Sequence, residues 1–354
     1  MKRKRITRKD VASRAGVSVA TVSYVLNDGP RPVSPETRAR VQQAIQDLGY
    51  YPNELARSLR RQKSFTIGLL IPNMTNPVYA EIARSMEHTC TEAGYLVLLC
   101  DSARDPVQER RFVEMLRAKQ VDGVVMIPSE APLELVDLLR QADIPCVLLE
   151  HDLPGVHCVA NDEPTGGVLA TQHLLDLGHR RIGIVRRHTV SALSKERFTG
   201  YRDTLAQAGI SLDPSLVVFS EAGHAAGCRA MQQLLALPDP PTAVFVHNDV
   251  LAMGAMHAIR QAGLSVPEDV SIVGYDDLAS SAYIAPPLTT VRLPKEGMGR
   301  RGAKRVLQLA RREGALEPYT EFLPVELVVR ASTAPPGSLQ DLVLRSDEAA
   351  QPCE

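Results

Sequence analysis

Cationic side chains are concentrated at the N-terminal end of this 354-residue chain. Residues 1–63 contain 14 Lys and Arg against five Asp and Glu, whereas the remainder contains 26 against 36. Lysine and arginine at such density bind the phosphates of a polyanion, which an acidic remainder would repel. A solvated basic tail has the same composition, so the surrounding pattern must decide between the two.

Signatures of several other chemistries are missing. No GxGxxG follows a strand, and there is no Walker lysine loop, HExxH or GxSxG. None of the six cysteines forms a CxxC pair, and several stand in apolar runs such as YLVLLC, which favours small core residues in a reducing compartment. We therefore expect no catalytic residue, metal or cofactor.

Export and membrane insertion are also disfavoured. No apolar run approaches the roughly 18–20 residues that cross a bilayer, and the basic start MKRKRITRKD is not followed by the apolar core of a signal peptide. We expect a cytoplasmic protein without a membrane partner.

Helix caps predict three helices within the basic segment. Thr7 and Asp10 form a capping-box pattern that opens a helix over residues 8–15, which Gly16 ends. Ser18 can cap a second helix over 19–26. The third runs through SPETRARVQQAIQDLG, with Ser34 as cap, Pro35 at its first position and Gly49 as its stop.

The first two helices, joined by AGVS, predict a helix-turn-helix. Ala12 is small where the helices would cross, and Val22 would fill the gap between them. The second helix is uncharged and slim, which suits entry into a DNA major groove about 12 Å wide, while nearby cations contact phosphates. A generic helical hairpin is the alternative, although turn, caps and charge agree on the first interpretation.

Residues 50–64, YYPNELARSLRRQKS, predict a conditional helix. Pro52 can start it, Ala56 and Leu59 share a face, and arginines surround them. Isolated helices of fewer than about 12 residues are marginal, so it should form only when packed against DNA and a partner.

RKDVASRAGVSVATVSYVLN, VSPETRARVQQAIQDLGYYPN and LARSL resemble the headpiece and hinge of the LacI family of bacterial transcription regulators. The resemblance implies double-stranded DNA with a near-palindromic operator as the partner, and Leu59 as a wedge in the central base step of the minor groove. It assigns DNA contacts on the recognition helix to Ser18, Val19, Ala20, Thr21, Ser23, Tyr24 and Asn27. It assigns phosphate and hinge contacts to Thr7, Ser34, Thr37, Asn53, Ala56, Arg57, Leu59 and Arg60.

Two features depart from the common family pattern. Tyr24 stands where Arg or His is frequent, and a tyrosine ring suits a thymine methyl better than a guanine edge. The loop DGPRP is slightly long. We therefore expect an operator that differs from that of an arginine-bearing relative.

Beyond Ser64, apolar runs such as TIGLLIP, VDGVVMIP and SIVGYDD alternate with amphipathic helices, which predicts doubly wound parallel sheets in two lobes. Motifs including NDVLAMGAMHAIRQAGLSVPEDVSIVGYDD and PPLTTVR extend the resemblance through residue 333. The implied fold is a small all-α headpiece with a hinge helix, followed by a two-lobed α/β domain like the periplasmic binding proteins.

The predicted boundaries are 1–51 for the headpiece, 52–63 for the hinge, 64–333 for the effector-binding and dimerisation domain and 334–354 for a disordered tail. Lobe 1 would comprise about 64–161 with 292–320, and lobe 2 about 162–291 with 321–333. The tail has too short an apolar face for a tetramer-forming coiled coil, so we expect a homodimer.

Ligands of such domains bind at the carboxyl ends of strands. By position in the family pattern, the effector-binding candidates are Tyr79, Asp101, Ser129, Glu150, Arg197, Asn248, Asp249 and Asp276. Carboxylates and Arg197 suit sugar hydroxyls, whereas each Asp has the alternative of capping a loop. His151 and Asp152 compete with Glu150 for its role.

The stretch VRRHTVSALSKERFTGY departs from the family pattern. Arg186, Arg187 and His188 could make the mouth of the cleft basic and suit a phosphorylated or acidic effector, but we expect surface charges there. Small residues around Ser191, Leu193 and Ala222 favour a sugar or related polyol over a nucleobase as the effector.

Two alternatives to a repressor remain at this level. A sugar-binding protein or enzyme could carry an incidental basic head, although no signal sequence or catalytic set supports it. An activator would use identical residues.

Overall fold

A computed structural model describes residues 6–27, 31–51, 63–129, 132–187, 192–314 and 317–337. The chain divides after Ser64 into an N-terminal unit and a larger body. The hinge residues Asn53, Ala56, Arg57, Leu59 and Arg60 lie outside the described residues, so their predicted contacts stay predictions.

The N-terminal unit contains three helices, Arg8–Ala15 (α1), Val19–Asn27 (α2) and Pro35–Leu48 (α3). The predicted caps are confirmed: Thr7 and Asp10 form a capping box, and Ser34 Oγ accepts from Thr37 N. Gly16 has φ +66°, a left-handed conformation that glycine adopts without the cost of a Cβ. The predicted helix-turn-helix is therefore confirmed.

A small apolar core holds these helices together. Val11, Val22 and Val41 are fully buried, and Ala12 and Ala44 lie beside them. The predicted roles of Ala12 and Val22 at the helix crossing are thus supported by their burial. Among the described side chains of the second helix, only Val22 and Val25 are buried, and the others are exposed or partly exposed.

The body alternates strands and helices. Its strands are Thr66–Ile71 (β1), Leu96–Asp101 (β2), Gly123–Met126 (β3), Cys146–Leu149 (β4), His157–Asn161 (β5), Ile182–Arg187 (β6), Val217–Ser220 (β7), Ala243–Val246 (β8), Ser271–Asp276 (β9), Thr289–Arg292 (β10), Thr320–Leu323 (β11) and Glu326–Val328 (β12). Its α-helices are Pro77–Glu92 (α4), Pro106–Ala118 (α5), Pro132–Arg140 (α6), Glu163–Asp176 (α7), Ala192–Gln207 (α8), His224–Leu235 (α9), Asp249–Gln261 (α10) and Lys295–Arg311 (α11).

These strands form two sheets. Over the described residues, lobe 1 has the order β11-β5-β4-β3-β1-β2 and lobe 2 the order β12-β10-β9-β8-β6-β7. All pairs are parallel except β10 with β12. The fully buried runs of β3 and β8 follow from helices that cover both faces of each sheet. The predicted two-lobed α/β fold is confirmed.

The chain crosses between the lobes three times. The first crossing follows β5, and the second lies between β10 and α11, which packs on α4 and β3 of lobe 1. The third lies between Leu323 and Glu326, because β11 pairs with β5 throughout 320–323. The predicted start of the last lobe 2 segment at residue 321 is therefore a few residues too early.

The predicted start of the disordered tail at residue 334 is also too early. Ala334 N donates to Ser271 Oγ at 3.0 Å, and Ala334 O lies 2.8 Å from His179 Nε2. Residues 334–337 therefore belong to lobe 2, and 338–354 lie outside the described residues. Within the described part of the chain, no helix combines the length and apolar character that crossing a bilayer requires.

Candidate functional site

The exposed side of α2 presents small, uncharged side chains. Val19 is 46% exposed, Ala20 is exposed, and Ser23 and Tyr24 are partly exposed. Ser18 Oγ accepts from Thr21 N at 3.0 Å and lies 2.9 Å from Thr21 Oγ1, which fixes the start of the helix. Of Asn27, the structure describes only the backbone. Such a surface can approach base edges closely.

The predicted phosphate contacts outside the hinge lie at helix N-termini. Thr7 caps α1, while Ser34 and Thr37 begin α3. Free backbone N–H groups and the helix dipole make such ends favourable for a phosphate. Arg14 Nη2 donates to Asp47 Oδ2 at 2.9 Å and ties α1 to α3, so this arginine supports the unit's structure.

A cavity opens between the two lobes of the body, at the carboxyl ends of their strands. Six of the eight predicted effector-binding residues line it, namely Tyr79, Ser129, Glu150, Arg197, Asn248 and Asp276. Strands β3 and β4 place Ser129 and Glu150 from lobe 1, and β8 and β9 place Asn248 and Asp276 from lobe 2. This is the location that open α/β sheets provide for ligands.

The other two predicted residues do not line the cavity. Asp249 is fully buried and accepts hydrogen bonds from Leu278 N at 2.8 Å and from the hydroxyls of Ser281 and Thr290, each at 2.6 Å. It therefore holds the loop after β9. Asp101 accepts from Met74 N and Ala103 N and orders two loops of lobe 1. Both fit the alternative of a loop-holding carboxylate.

Arg197 faces the cavity but is strongly bound within lobe 2. Its Nε donates to Glu163 Oε2 at 2.5 Å, its Nη1 donates to the His247 carbonyl at 2.7 Å, and its guanidinium lies 3.6 Å from the centre of the Tyr275 ring. Burial opposes the charged form, yet the Glu163 carboxylate raises the pKa of Arg197 above its usual value. Arg197 is thus a rigid, neutralised part of the wall.

The two carboxyl groups of the cavity are buried and have raised pKa values. Burial raises the pKa of Glu150 to about 7, and the charge of Glu163 adds to this. Burial also raises the pKa of Asp276 well above its usual value. Glu150 has φ +59° and Asp276 φ +108°, left-handed conformations that cost energy in residues other than glycine. Strain of this kind clusters at ligand sites.

Sequence reasoning missed Arg104 and misjudged Arg187, both of which line the cavity. Arg187 ends β6 and is only 8% exposed, so the expectation of a surface charge is wrong for it. Arg186 instead lies over the rings of Phe198 and Phe219, and His188 lies outside the described residues. Arg187 stands at the carboxyl end of a strand, and this position could have predicted that it lines the cavity.

Further residues of the cavity wall were not predicted. They are Pro72, Asn76, Val78, Ile127, Pro128 and His247. His151 was a rival of Glu150, and both contribute to the wall. Burial, followed by the charges of Arg197, Arg187 and Arg104, lowers the pKa of His247 well below its usual value, so this ring is neutral. Within the described residues, no cluster of three or more His, Cys, Asp or Glu side chains could hold a metal ion.

Comparisons with known proteins agree with this arrangement. Residues 7–53 match the model of the bacterial regulatory proteins of the lacI family, and residues 171–333 match that of the periplasmic binding protein-like domain. The chain is 36% identical over 329 residues to the HTH-type transcriptional repressor PurR of Photobacterium profundum, and the match spans 92% of this chain and 98% of the relative.

Two solved structures are similar over most of the chain. The Lac repressor dimer bound to operator and the anti-inducer ONPF has a TM-score of 0.85 and 30% identity, and the match covers 94% of this chain and all of that one. A complex of the transcriptional regulator CelR with cellobiose has a TM-score of 0.71 and 34% identity, covering 93% of this chain and all of that one.

A helix-turn-helix unit and a bilobed domain with a cavity at its strand ends define a ligand-responsive transcription regulator that binds DNA. The chain belongs to the LacI family of bacterial regulatory proteins.

Proposed function

We propose that the protein is a homodimeric repressor whose affinity for a near-palindromic operator is set by a small hydroxylated effector, a sugar or sugar derivative, in the interlobe cavity. The observation that carries this proposal is the cavity itself, to which both lobes contribute polar and charged side chains at their strand ends. A ligand that contacts both lobes stabilises one relative arrangement of them over another.

The chemistry of the wall favours a polyhydroxylated ligand. Glu150 and Asp276 can accept from hydroxyls, and when protonated they can also donate. Asn248 uses its Oδ1 to accept from Leu251 N at 2.9 Å, which leaves its amide nitrogen as a donor. Tyr79 lines the same space and can pack against a sugar ring. The cellobiose-bound relative supports a carbohydrate here by likeness.

DNA binding would combine α2 in successive major grooves with hinge segments that meet in the minor groove. Effector binding changes how the lobes close and therefore the spacing at which two hinge segments leave the dimer. Operator and effector are then coupled through one two-state element, and each changes the affinity for the other by the same factor. Since its target is chromosomal DNA, we place the protein in the cytoplasm.

The test uses the full-length protein and DNA from beside its own gene. We expect a specific complex whose affinity falls steeply with salt, because phosphate contacts release counterions. Leu59→Ala should weaken operator binding roughly tenfold more than binding to random DNA, whereas Leu133→Ala, at an exposed leucine of α6, should change neither. Equal losses on both DNAs would refute the wedge, and no specific fragment at low salt would refute the proposed function.

A further inference from the structure

We propose that Lys295 is a positioning residue that connects the cavity wall in lobe 2 to the helices of lobe 1. The inference rests on the proposed function, because it takes the cavity to be the effector site. It adds how that site is regulated: a ligand that contacts Asp276 acts, through Lys295, on the placement of lobe 1. Lobe 1 contains β1, the strand that follows the hinge residues in the sequence.

The first support is the position of the Lys295 ammonium group against lobe 2. Its Nζ donates to the carbonyl oxygens of two consecutive residues, to Asp276 at 2.9 Å and to Asp277 at 2.7 Å. Only 7% of Lys295 is exposed. A buried ammonium group is costly unless hydrogen bonds and a counter-charge compensate it, and hydrogen bonds from a charged donor are the stronger class. The two bonds therefore fix the main chain at the end of β9.

The main chain at these two carbonyl-bearing residues is strained. Asp276 has φ +108° and Asp277 has φ +49°, conformations that persist in residues other than glycine only where surrounding contacts hold them. Lys295 supplies two of these contacts. The Asp277 carboxylate supplies two more, because it accepts from Arg292 Nε and Arg330 Nη2, each at 2.6 Å. The turn is thus held by two arginines within lobe 2 and by a lysine of α11.

The second support is the attachment of Lys295 to lobe 1. It is the first residue of α11, and its Nζ lies 3.4 Å from Oε1 of Glu81 in α4. In the same turn of α11, the Glu296 carbonyl accepts from Ser85 Oγ of α4 at 2.7 Å. The ammonium group therefore has its counter-charge in lobe 1 and its carbonyl acceptors in lobe 2.

Asp276 connects these contacts to the ligand. Its carboxyl group lines the cavity, while its carbonyl oxygen accepts from Lys295. A change in the arrangement of the lobes must either move the main chain of Asp276 with lobe 1 or break a charge-assisted hydrogen bond. A ligand bound to the Asp276 carboxyl favours one position of this residue, and therefore one arrangement of the lobes over another.

The experiment measures how a sugar changes the operator affinity of the full-length protein. The panel comprises glucose, galactose, mannose, ribose and cellobiose, with the 6-phosphates and uronic acids of the first three. The sugar that raises the melting temperature most is used at saturation. In the wild type, it should change operator affinity by roughly 5- to 150-fold. In Lys295→Met, which keeps the length of the side chain but has no donor, this response should shrink to less than about threefold.

The affinity for the sugar separates a lost connection from a lost binding site. Lys295 lies outside the cavity that the described residues form. Lys295→Met should therefore keep its sugar affinity within roughly tenfold of wild type while its operator response is lost. Calorimetry on the DNA-free protein measures the sugar affinity.

Matched variants locate the effect. Lys304→Met removes an exposed lysine of the same helix and should keep the wild-type response. Lys295→Arg keeps the charge and the donors, so it should restore part of the response that Lys295→Met loses. If the side chain only filled space, methionine would be the better replacement and the order of the two variants would be reversed.

A second pair of variants applies if melting curves show that Lys295→Met does not fold. Glu81→Gln removes the charge that faces Lys295 from α4, and it should reduce the response by roughly twofold to fivefold. Glu92→Gln, which removes an exposed partner of His88 within the same helix, should leave the response unchanged.

Four results would overturn the inference: a wild-type response in Lys295→Met, a larger response in Lys295→Met than in Lys295→Arg, the same loss in Lys304→Met, or equal responses in Glu81→Gln and Glu92→Gln. The proposed function survives all four, because the wild type still responds to the sugar. If no DNA fragment binds the wild type specifically, or no sugar of the panel changes its operator affinity, the proposed function is wrong and the inference falls with it.

Discussion

The recognition helix and the interlobe cavity differ in charge: the helix is uncharged, whereas ionisable side chains line the cavity. α2 carries no charged side chain, and Val19, Ala20, Ser23 and Tyr24 on it are exposed or partly exposed. The cavity concentrates arginines, carboxyls and two histidines, and several of these side chains are less than a tenth exposed. DNA brings its own dense charge, so cations around a neutral reading surface suffice. A small ligand in a buried cleft must instead be recognised by charges that the fold already supports.

The same contrast recurs inside the cavity. Arg197 has Glu163 and the Tyr275 ring as partners, whereas Glu150 and Asp276 line the cavity with pKa values that burial raises. A buried cation held by its counter-ion is structural, whereas a buried carboxyl of the cavity wall can form hydrogen bonds with a ligand. The predictions below test this division between structural and ligand-binding charges.

The largest effect should come from removing the counter-ion of Arg197. Glu163→Gln keeps the shape but leaves a buried guanidinium uncompensated, which typically costs about 3–5 kcal/mol. Denaturant unfolding of the body measures it. Glu134→Gln, which removes an exposed partner of Arg110, should change the free energy of unfolding by less than about 0.5 kcal/mol. Similar losses of unfolding free energy in both variants would contradict the distinction between structural and ligand-binding charges.

The next effect concerns pH. Because the pKa of Glu150 in the folded protein is raised to about 7, the folded state binds the proton more tightly than the unfolded state. The free energy of unfolding should therefore fall as pH rises from about 4.3, the ordinary pKa, to about 7.

Glu150→Gln, which is permanently neutral, should escape this loss. It should match wild type near pH 4 and exceed its free energy of unfolding at pH 8 by roughly 3–4 kcal/mol, since each pKa unit corresponds to about 1.36 kcal/mol. Urea unfolding across this range provides the comparison. Parallel pH profiles for the two proteins would show that the carboxyl is ionised in the fold without penalty.

A smaller effect should separate Asp249 from Asp276. Asp249→Asn replaces an acceptor oxygen with a donor and should cost about 2 kcal/mol, because a buried partner loses its hydrogen bond. It should keep the rise in melting temperature that an effector produces. Asp276→Asn should abolish that rise without a comparable loss of stability. If Asp249→Asn abolished the rise in melting temperature and Asp276→Asn kept it, Asp249 would be the residue that contacts the ligand.

The smallest effect is expected in the N-terminal unit. Ser18→Ala removes the side chain that accepts from Thr21 N and should destabilise the start of α2 by about 1 kcal/mol. Hydrogen exchange of the α2 amides in the full-length protein measures this. Ser13→Ala, at an exposed position of α1, is the control and should leave α2 exchange unchanged. No difference between the variants would mean that the cap contributes nothing.

The N-terminal unit and the strands of the body could be predicted in detail because local rules determine them. Caps at Thr7 and Ser34 and the left-handed Gly16 mark helix ends within a few residues of the sequence. The strands were visible as apolar runs because helices cover both faces of each sheet. The third lobe crossing was misplaced because β11 is short and pairs with β5, a strand far away in the sequence.

The cavity could be predicted only in part. Glu150 and Asp276 stand at the ends of apolar strands, so the strand-end rule finds them. Asp249 obeys the same rule but is turned toward Ser281 and Thr290, a choice that only tertiary contacts reveal. Arg104 stands in the loop beyond β2, where loop geometry decides its direction.

The most direct test of the account compares the operator affinity of the full-length protein with and without a cavity ligand. The ligand is the sugar or sugar derivative that raises the melting temperature of the protein most. Coupling between sites is typically about 1–3 kcal/mol, so the ligand should change operator affinity by roughly 5- to 150-fold and leave affinity for random DNA nearly unchanged. An operator affinity that stays constant while the ligand saturates the cavity would contradict the claim that this cavity controls DNA binding.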